Sequence, residues 1–348
     1  MEKKKLNNIK KIALAVIVII VVSGATIAFL VYQRFLAPSV TSAQAYLYIP
    51  TGSNFEDLME NLGKNDIVKD TSKFRWAAEK KDYPLKVKAG KYKLHENMNN
   101  RTLINLLNAG FQEPVKLQFQ NIRLKENFAS FLATELEPDS SAFIALLNND
   151  SLARKYGFNH ENFFSMFVPN TYEFFWNTST GAFVERMNKE YNTFWNEERK
   201  SKAKALHLSP IEVSNLASIV KGEALHVDEM PKIAGLYINR LKKGMLLQAD
   251  PTVIFANQDF SIRRVLNKHL KTDSPYNTYI YKGLPPGPIM MPSIASIDAV
   301  LNFQEHSFIY MCAKDDFSGY HNFANTMAEH LVNARKFQKA LDNRNIKR

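Results

Sequence analysis

Apolar positions along the chain fall into three regimes. Residues 12–32 are continuously apolar, mainly Ile, Val, Ala and Leu, with no charged residue. At about 1.5 Å rise per residue a helix of that length spans roughly 30 Å, the hydrocarbon thickness of a bilayer. Residues 46–113 alternate short strand-like and helix-like pieces. A strand at 46–49 meets a turn through Pro50, Gly52, Ser53 and Asn54, then a helix with Phe55, Leu58 and Leu62 on one face. A second helix near 72–80, a strand around 90–94 and a third helix holding Leu103, Leu106 and Leu107 complete this stretch. Beyond it, alternation at Val115, Leu117 and Phe119 gives way to amphipathic helices, an aromatic run at 166–176 and, from 205, a motif-rich region. The pattern predicts an α+β chain: a single N-terminal transmembrane helix, a small α+β module, then a mixed α+β region. The expected divisions are a cytoplasmic tail at 1–11, the transmembrane helix at 12–32 and a linker at 33–45. The module follows at 46–113, an intermediate helical and strand region at 114–204, and the motif-rich domain at 205–348. Neither an internal repeat nor a low-complexity run is present.

Charge orients this arrangement. Lys3, Lys4, Lys5, Lys10 and Lys11 precede the apolar run, so the N-terminus is expected in the cytoplasm and everything after about residue 35 beyond the inner membrane. The rival reading is a cleaved signal peptide. Its apolar core runs about 7–15 residues, shorter than this one. The nearest Ala-x-Ala, 43–45, lies well past the apolar end, so a retained anchor is expected. Hydrophobic residues at 45% and aromatics at 12% exclude a disordered chain. A net charge of +11 suits anionic surroundings. Nucleic acid is not expected as the partner, because the chain has no nucleic-acid motif and carries an anchor. Cys312 is the single cysteine and cannot form an internal disulfide. It sits in the apolar run 308–313, read as a buried strand in which it serves as a small hydrophobe.

The candidate chemistry lies on one helix. Ser209 and Glu212 have capping-box spacing, and Pro210 falls at the first helical position. Val213, Leu216, Ile219 and Val220 recur at three- and four-residue steps, and Glu223 continues the stripe. A carboxylate is thus set on the face the helix buries. Desolvation disfavours the charged form, and a carboxyl held protonated near neutral pH can donate to a leaving oxygen. Taken alone, the pattern fits an internal salt bridge from Glu223 to Arg240 or a lysine at least as well. Gly222 costs roughly 1 kcal/mol inside a helix, which close approach of a substrate or another backbone would offset. Glu223 and His226 also have Glu-x-x-His spacing, but a di-iron site needs two such motifs and further carboxylates. The other seven histidines show no metal-binding spacing, so neither a metal nor another cofactor is expected.

Several motifs in fixed order then become recognisable. Residues 216–223 (LASIVKGE) resemble the "LASIVEKE" segment of the MltG (YceG-like) family of endolytic murein transglycosylases. Ile238-Asn-Arg-Leu241, Leu247-Gln-Ala-Asp-Pro-Thr-Val253, Tyr276-Asn-Thr-Tyr279, Gly283-Leu-Pro-Pro-Gly-Pro-Ile289 and the late His321-x-Phe323 follow at family spacing. The resemblance spans about 46–340. It implies one N-terminal anchor helix, a LysM-like module at 46–113 that binds or positions glycan, and a catalytic domain from 205. It assigns the catalytic glutamate to Glu223. Three positions depart from the family. Lys221 replaces a glutamate, Asn170 stands where an aspartate is usual, and Gln120-Asn-Ile122 occupies a common Pro-Glu-Gly position.

By the same resemblance, the substrate is the peptidoglycan glycan strand, cut at the β-1,4 bond between N-acetylmuramic acid and N-acetylglucosamine. The products are 1,6-anhydro-muramyl ends, with one carboxyl serving as acid and then base. Cleavage of nascent strands at the membrane would suit coupling to wall synthases. Gln248, Asp250, Tyr276, Asn277, Thr278 and His321 are the candidate substrate contacts. Each has a structural alternative. Asp250-Pro251 reads as a helix N-cap with proline at N1, Tyr276 to Tyr279 as a turn, and His321 as a structural histidine. Two other functions stay open. One is a hydrolase with Asp250 as second carboxylate, the other a non-enzymatic glycan-binding scaffold with a structural Glu223.

Overall fold

The computed structural model describes residues 2–41 and 45–344, so Ala43 of the Ala-x-Ala and the end of the expected catalytic domain, 345–348, lie outside the described residues. The chain forms two compact units, Met1–Val115 with Glu173–Asn177, and Lys116–Tyr172 with Thr178–Arg348. Helix and strand are mixed, as expected, but helix dominates and each strand is four residues long.

In the first unit, α1 (Glu2–Phe35) runs unbroken through the lysine-rich tail and the apolar stretch. Among the described residues it is the one helix long and apolar enough to cross a membrane. β1 (Tyr46–Ile49), α2 (Phe55–Lys64), α3 (Thr71–Glu79), β2 (Gly90–Lys93) and α4 (Asn100–Ala109) follow, close to the periodicity. Asn54 and Asp57 close a capping box at the head of α2. β1 and β2 pair antiparallel, with Tyr46 opposite Lys93 and Ile49 opposite Gly90. Their inward residues Leu47, Ile49 and Tyr92 join Leu58, Leu62, Phe74, Leu103 and Leu107 in one core.

The expected linker, 33–45, needs correction over 33–41. Small polar composition suggested a free tether, yet Val40 is 1% exposed and bridges Val68. Phe35 lies edge-on to Trp76 at 5.3 Å, and the Arg34 guanidinium sits 4.7 Å from the same ring. Asn100 donates its amide to the Arg34 carbonyl at 2.9 Å. The hydrophobic gain from Phe35 and Val40 holds this segment in the module.

The chain enters the second unit within β3 (Val115–Gln118) and continues through α5 (Lys125–Glu135), α6 (Ser140–Leu147) and α7 (Asp150–Lys155). β4 (Thr171–Phe174), α8 (Thr180–Phe194) and α9 (Glu197–Ala205) come next, then α10 (Pro210–Glu223), α11 (Met230–Lys242), α12 (Asp250–Asn257) and α13 (Ile294–Leu301). β5 (Tyr310–Ala313), β6 (His321–Ala324) and α14 (Met327–Asn343) end it. The expected intermediate region has no core of its own. Phe128 meets Phe119 and Phe167 at 4.9 and 5.2 Å, and the same compact unit contains the 205–344 helices.

Helix α10 is the hub, in contact with α9, α11, α12 and α13. Its capping box forms as the sequence predicts, Ser209 accepting from Glu212 and Glu212 from the Ser209 amide. The expected single apolar stripe is an understatement. Every residue from Val213 to Val220 is buried. Its small polar residues fit that burial by bonding locally or to loops. Ser218 donates to the Asn215 carbonyl at 2.7 Å and accepts from the Ile289 amide at 3.1 Å, while Asn215 donates to the Pro285 carbonyl at 3.0 Å. The strand expected at 308–313 exists as β5, but Cys312 is half-buried and not a core residue.

Candidate active site

Glu223 is the last residue of α10 and opens on a cleft of about 370 Å³. Gly222 makes this placement possible. A Cβ there would lie 2.8 Å from the Pro251 Cβ, so only glycine lets the end of α10 touch the start of α12. The close approach expected at Gly222 is therefore to Pro251.

Across the cleft, α11 presents Tyr237 and Arg240, three residues apart on one face. The Tyr237 hydroxyl donates to Glu223 Oε1 at 2.8 Å. Burial raises the Glu223 pKa to about 7, against the lowering hydrogen bond from Tyr237, and the Asp250 charge raises it further. A backbone hydrogen bond from Asp250 and the Arg240 charge act in the lowering direction. Glu223 is half-buried as a residue, so the carboxyl is desolvated yet reachable from the cleft.

Arg240 is not an ion-pair partner of Glu223. Its guanidinium donates to the carbonyls of Ile309 (2.6 Å), Leu246 (3.1 Å) and Leu247 (2.8 Å), and to Gln248 Oε1 (3.2 Å). It ties α11 to the 246–248 loop and to the approach of β5. The internal salt bridge that the sequence alone allowed is thus replaced by a neutral donor, Tyr237.

The sequence-predicted residues separate into three groups. Gln248, Asp250 and His321 line the Glu223 cleft. Gln248 holds a left-handed conformation, φ 51°, with its side chain fixed by Arg240. Asp250 does not cap α12. Ala249 is the cap position, no side-chain cap bond forms, and the Asp250 carboxylate instead accepts from the Tyr279 hydroxyl at 2.6 Å. His321 Nδ1 donates to Glu229 Oε2 at 2.8 Å, and the His321 amide donates to Glu229 Oε1 at 2.8 Å. Buried Glu229 thereby fixes the ring and its tautomer.

Asn277 and Thr278 form the second group. Both are at most 1% exposed, so neither offers a surface to a sugar. Asn277 donates to the Leu270 and Thr272 carbonyls and accepts from the Tyr279 amide. Thr278 accepts from the Ala249 amide at 3.0 Å and meets the Thr252 hydroxyl at 2.7 Å. They position the start of α12 and Tyr279, and their expected direct contact is corrected to that role. Tyr276 stands apart, in a different cleft against Phe255, with burial pushing its pKa up to about 12. His226 also lies off the Glu223 cleft, stacked on Tyr320 at 4.1 Å and donating to the Ser318 carbonyl.

Tyr237, Tyr279 and Glu229 are the site residues the sequence reading did not single out. Tyr279 sits in a motif that was read, but the hydroxyl was not paired with Asp250. Tyr237 lies fourteen residues beyond Glu223 on the next helix, and no spacing rule joins them. Lys221, where the family carries glutamate, is not among the cleft-lining residues.

A desolvated carboxyl near neutral pKa, held by a tyrosine hydroxyl in an open cleft, defines a proton-transfer site. The chain belongs to the YceG-like family, which it matches over residues 47–336. It is 30% identical over 332 residues to a protein of Bacillus subtilis (strain 168) named endolytic murein transglycosylase, covering 89% of this chain and 90% of that relative. A relative of the same name from Streptococcus pneumoniae serotype 2 is 26% identical over 316 residues, or 81% of this chain and 56% of that longer protein. The crystal structure of a YceG-like protein of Listeria monocytogenes, 24% identical, has the same fold, with a TM-score of 0.56 over 82% of this chain and 98% of that one.

Proposed function

We propose that the protein is a lytic murein transglycosylase, cutting the β-1,4 bond between N-acetylmuramic acid and N-acetylglucosamine with Glu223. The observation that carries this reading is the Glu223 carboxyl, buried, raised to about 7 and held by Tyr237 in the cleft. Oε1 accepts from Tyr237, so Oε2 carries the mobile proton. Protonated Glu223 gives that proton to the glycosidic oxygen as the C1–O bond breaks, and the bonding pair leaves with the oxygen. The carboxylate so formed then takes the proton of the muramyl C6 hydroxyl, whose oxygen bonds to C1. The 1,6-anhydro ring closes, no water is consumed, and Glu223 ends protonated. Gln248, Asp250, Tyr279 and His321 supply polar contacts along the cleft.

α1 in this reading is a single-pass anchor in the cytoplasmic membrane, its lysine-rich end inside and the rest of the chain outside. Residues 46–113 act as a LysM-like glycan-holding module, which the β1-α2-α3-β2 order with paired strands supports. Wall synthases remain proposed partners on the ground of anchoring and family.

Glu223→Gln keeps the shape and removes the acid. It should fold and release no anhydro-muramyl product from purified sacculi, and full activity would refute the assignment. One observation favours a second reading. The Asp250 carboxylate shares the cleft and couples electrostatically to Glu223, as a two-carboxylate hydrolase requires. Product mass separates the two, because hydrolysis leaves reducing ends heavier by one water.

A further inference from the structure

The second unit holds another cleft, of about 340 Å³, that shares no lining residue with the Glu223 cleft. Arg123 and Lys125 flank its entrance at the head of α5, whose first turn has no side-chain cap. Phe164, Phe255 and Tyr276 form its aromatic side. Arg123 is half-buried, with its guanidinium 4.7 Å from the Phe260 ring centroid. No carboxylate lies within ion-pair distance of it, and it makes no hydrogen bond among the described residues. A half-buried cation with unspent donors is costly unless an anion completes it. Lys125 Nζ is held beside it by the His160 carbonyl at 3.0 Å and Asn148 Oδ1 at 3.4 Å. Burial depresses the Lys125 pKa, while the Glu126 and Glu161 charges act against that. Those two exposed carboxylates and exposed His160 stand at the same opening, so the cleft offers both signs of charge.

The two clefts are linked by α12. Asp250 at its start lines one, and Phe255 near its end lines the other. Five helical residues separate them by about 7.5 Å. Gly287 closes the far side. A Cβ there would fall 2.1 Å from the Glu161 carbonyl oxygen, so the proline-rich loop sits directly on the Glu161 backbone.

We propose that this cleft binds the peptide stem of peptidoglycan, a stem carboxylate on Arg123 and Lys125 and the stem's free amine facing Glu126 and Glu161. The proposal rests on the transglycosylase reading for its substrate. A three-residue peptide spans about 10 Å when extended, enough to run from a muramyl sugar at one cleft to the other. Arg123 and Lys125 act here as specificity residues and touch no reacting atom.

Titration calorimetry on the full chain in detergent tests it, with the tripeptide L-Ala–γ-D-Glu–L-Lys and the same tripeptide amidated at its carboxylates. The free acid should bind. Amidation, or Arg123→Gln, should weaken binding roughly tenfold or more, the worth of a charge-assisted hydrogen bond. Glu223→Gln should bind as the wild type does. No binding at millimolar tripeptide, or binding indifferent to both amidation and Arg123→Gln, overturns the proposal. The amidation arm uses wild-type protein and is independent of how the variant folds. Peptide binding by a chain that cleaves no sacculi would sink the transglycosylase reading and leave the cleft standing. Cleavage without peptide binding would do the reverse.

Discussion

Glu223 keeps its proton because water is kept from it, and Tyr237 limits how far this goes. The hydroxyl bonds the ionised form and so lowers a pKa that burial has raised. Activity requiring the protonated acid should therefore fall as pH rises through about 7. Tyr237→Phe removes the donor, so the alkaline limb of the kcat/KM profile should move up, and the rate should drop about tenfold. A limb that stays in place would mean another group sets it. Stability carries the same signature. The folded pKa, about 7, exceeds the model value of 4.5, so the folded state holds more protons between those values and stability falls as pH rises across them. Glu223→Gln removes that loss. It should stabilise the protein by roughly 2–3 kcal/mol at pH 8, at about 1.4 kcal/mol per pKa unit, and by little below pH 4.5. Melting temperatures of both proteins across that range check it.

Helix placement does most of the remaining work. α10 and α12 meet at Gly222 and Pro251, and Glu223 is the next residue after that contact. Gly222→Ala should wedge the helices apart, costing about 1–3 kcal/mol of stability as overpacking does. Activity should fall further than stability alone explains, since misplacing an acid by about 1 Å can cost some hundredfold in rate. A variant that melts earlier but cleaves normally would show the contact to be structural only. The start of α10 was legible because its cap is local, Ser209 to Glu212 with Pro210 between. So were α2 and β1, whose periodicity matches their burial. The Asp250–Tyr279 and Glu223–Tyr237 bonds were not, because they join residues 29 and 14 positions apart through tertiary packing. Burial of Asn277 and Thr278 was equally hidden. A polar motif reads the same whether it faces a sugar or satisfies a loop.

Across the whole chain, the apolar run at 12–32 and the order of motifs gave the broad plan, while composition misled at the junction. Residues 33–41 look like a tether by residue type, but long-range contacts to Trp76, Asn100 and Val68 fold them in. The aromatic run at 166–176 likewise carried no hint that 116–204 would share a unit with the helices that follow. Trypsin offers a check. Arg34 lies under Trp76 with its carbonyl bonded, so cutting after it should be slow in the full chain and should quicken several-fold in Trp76→Ala, where local opening is easier. Rapid wild-type cleavage at Arg34, read from fragment mass, would restore the tether.

With α1 spanning the bilayer, that clamp makes the helix a stalk of set length and not a leash. The module then works as a height gauge. It meets glycan at one level above the lipid, the level where new strands emerge, and mature layers farther out stay beyond its reach.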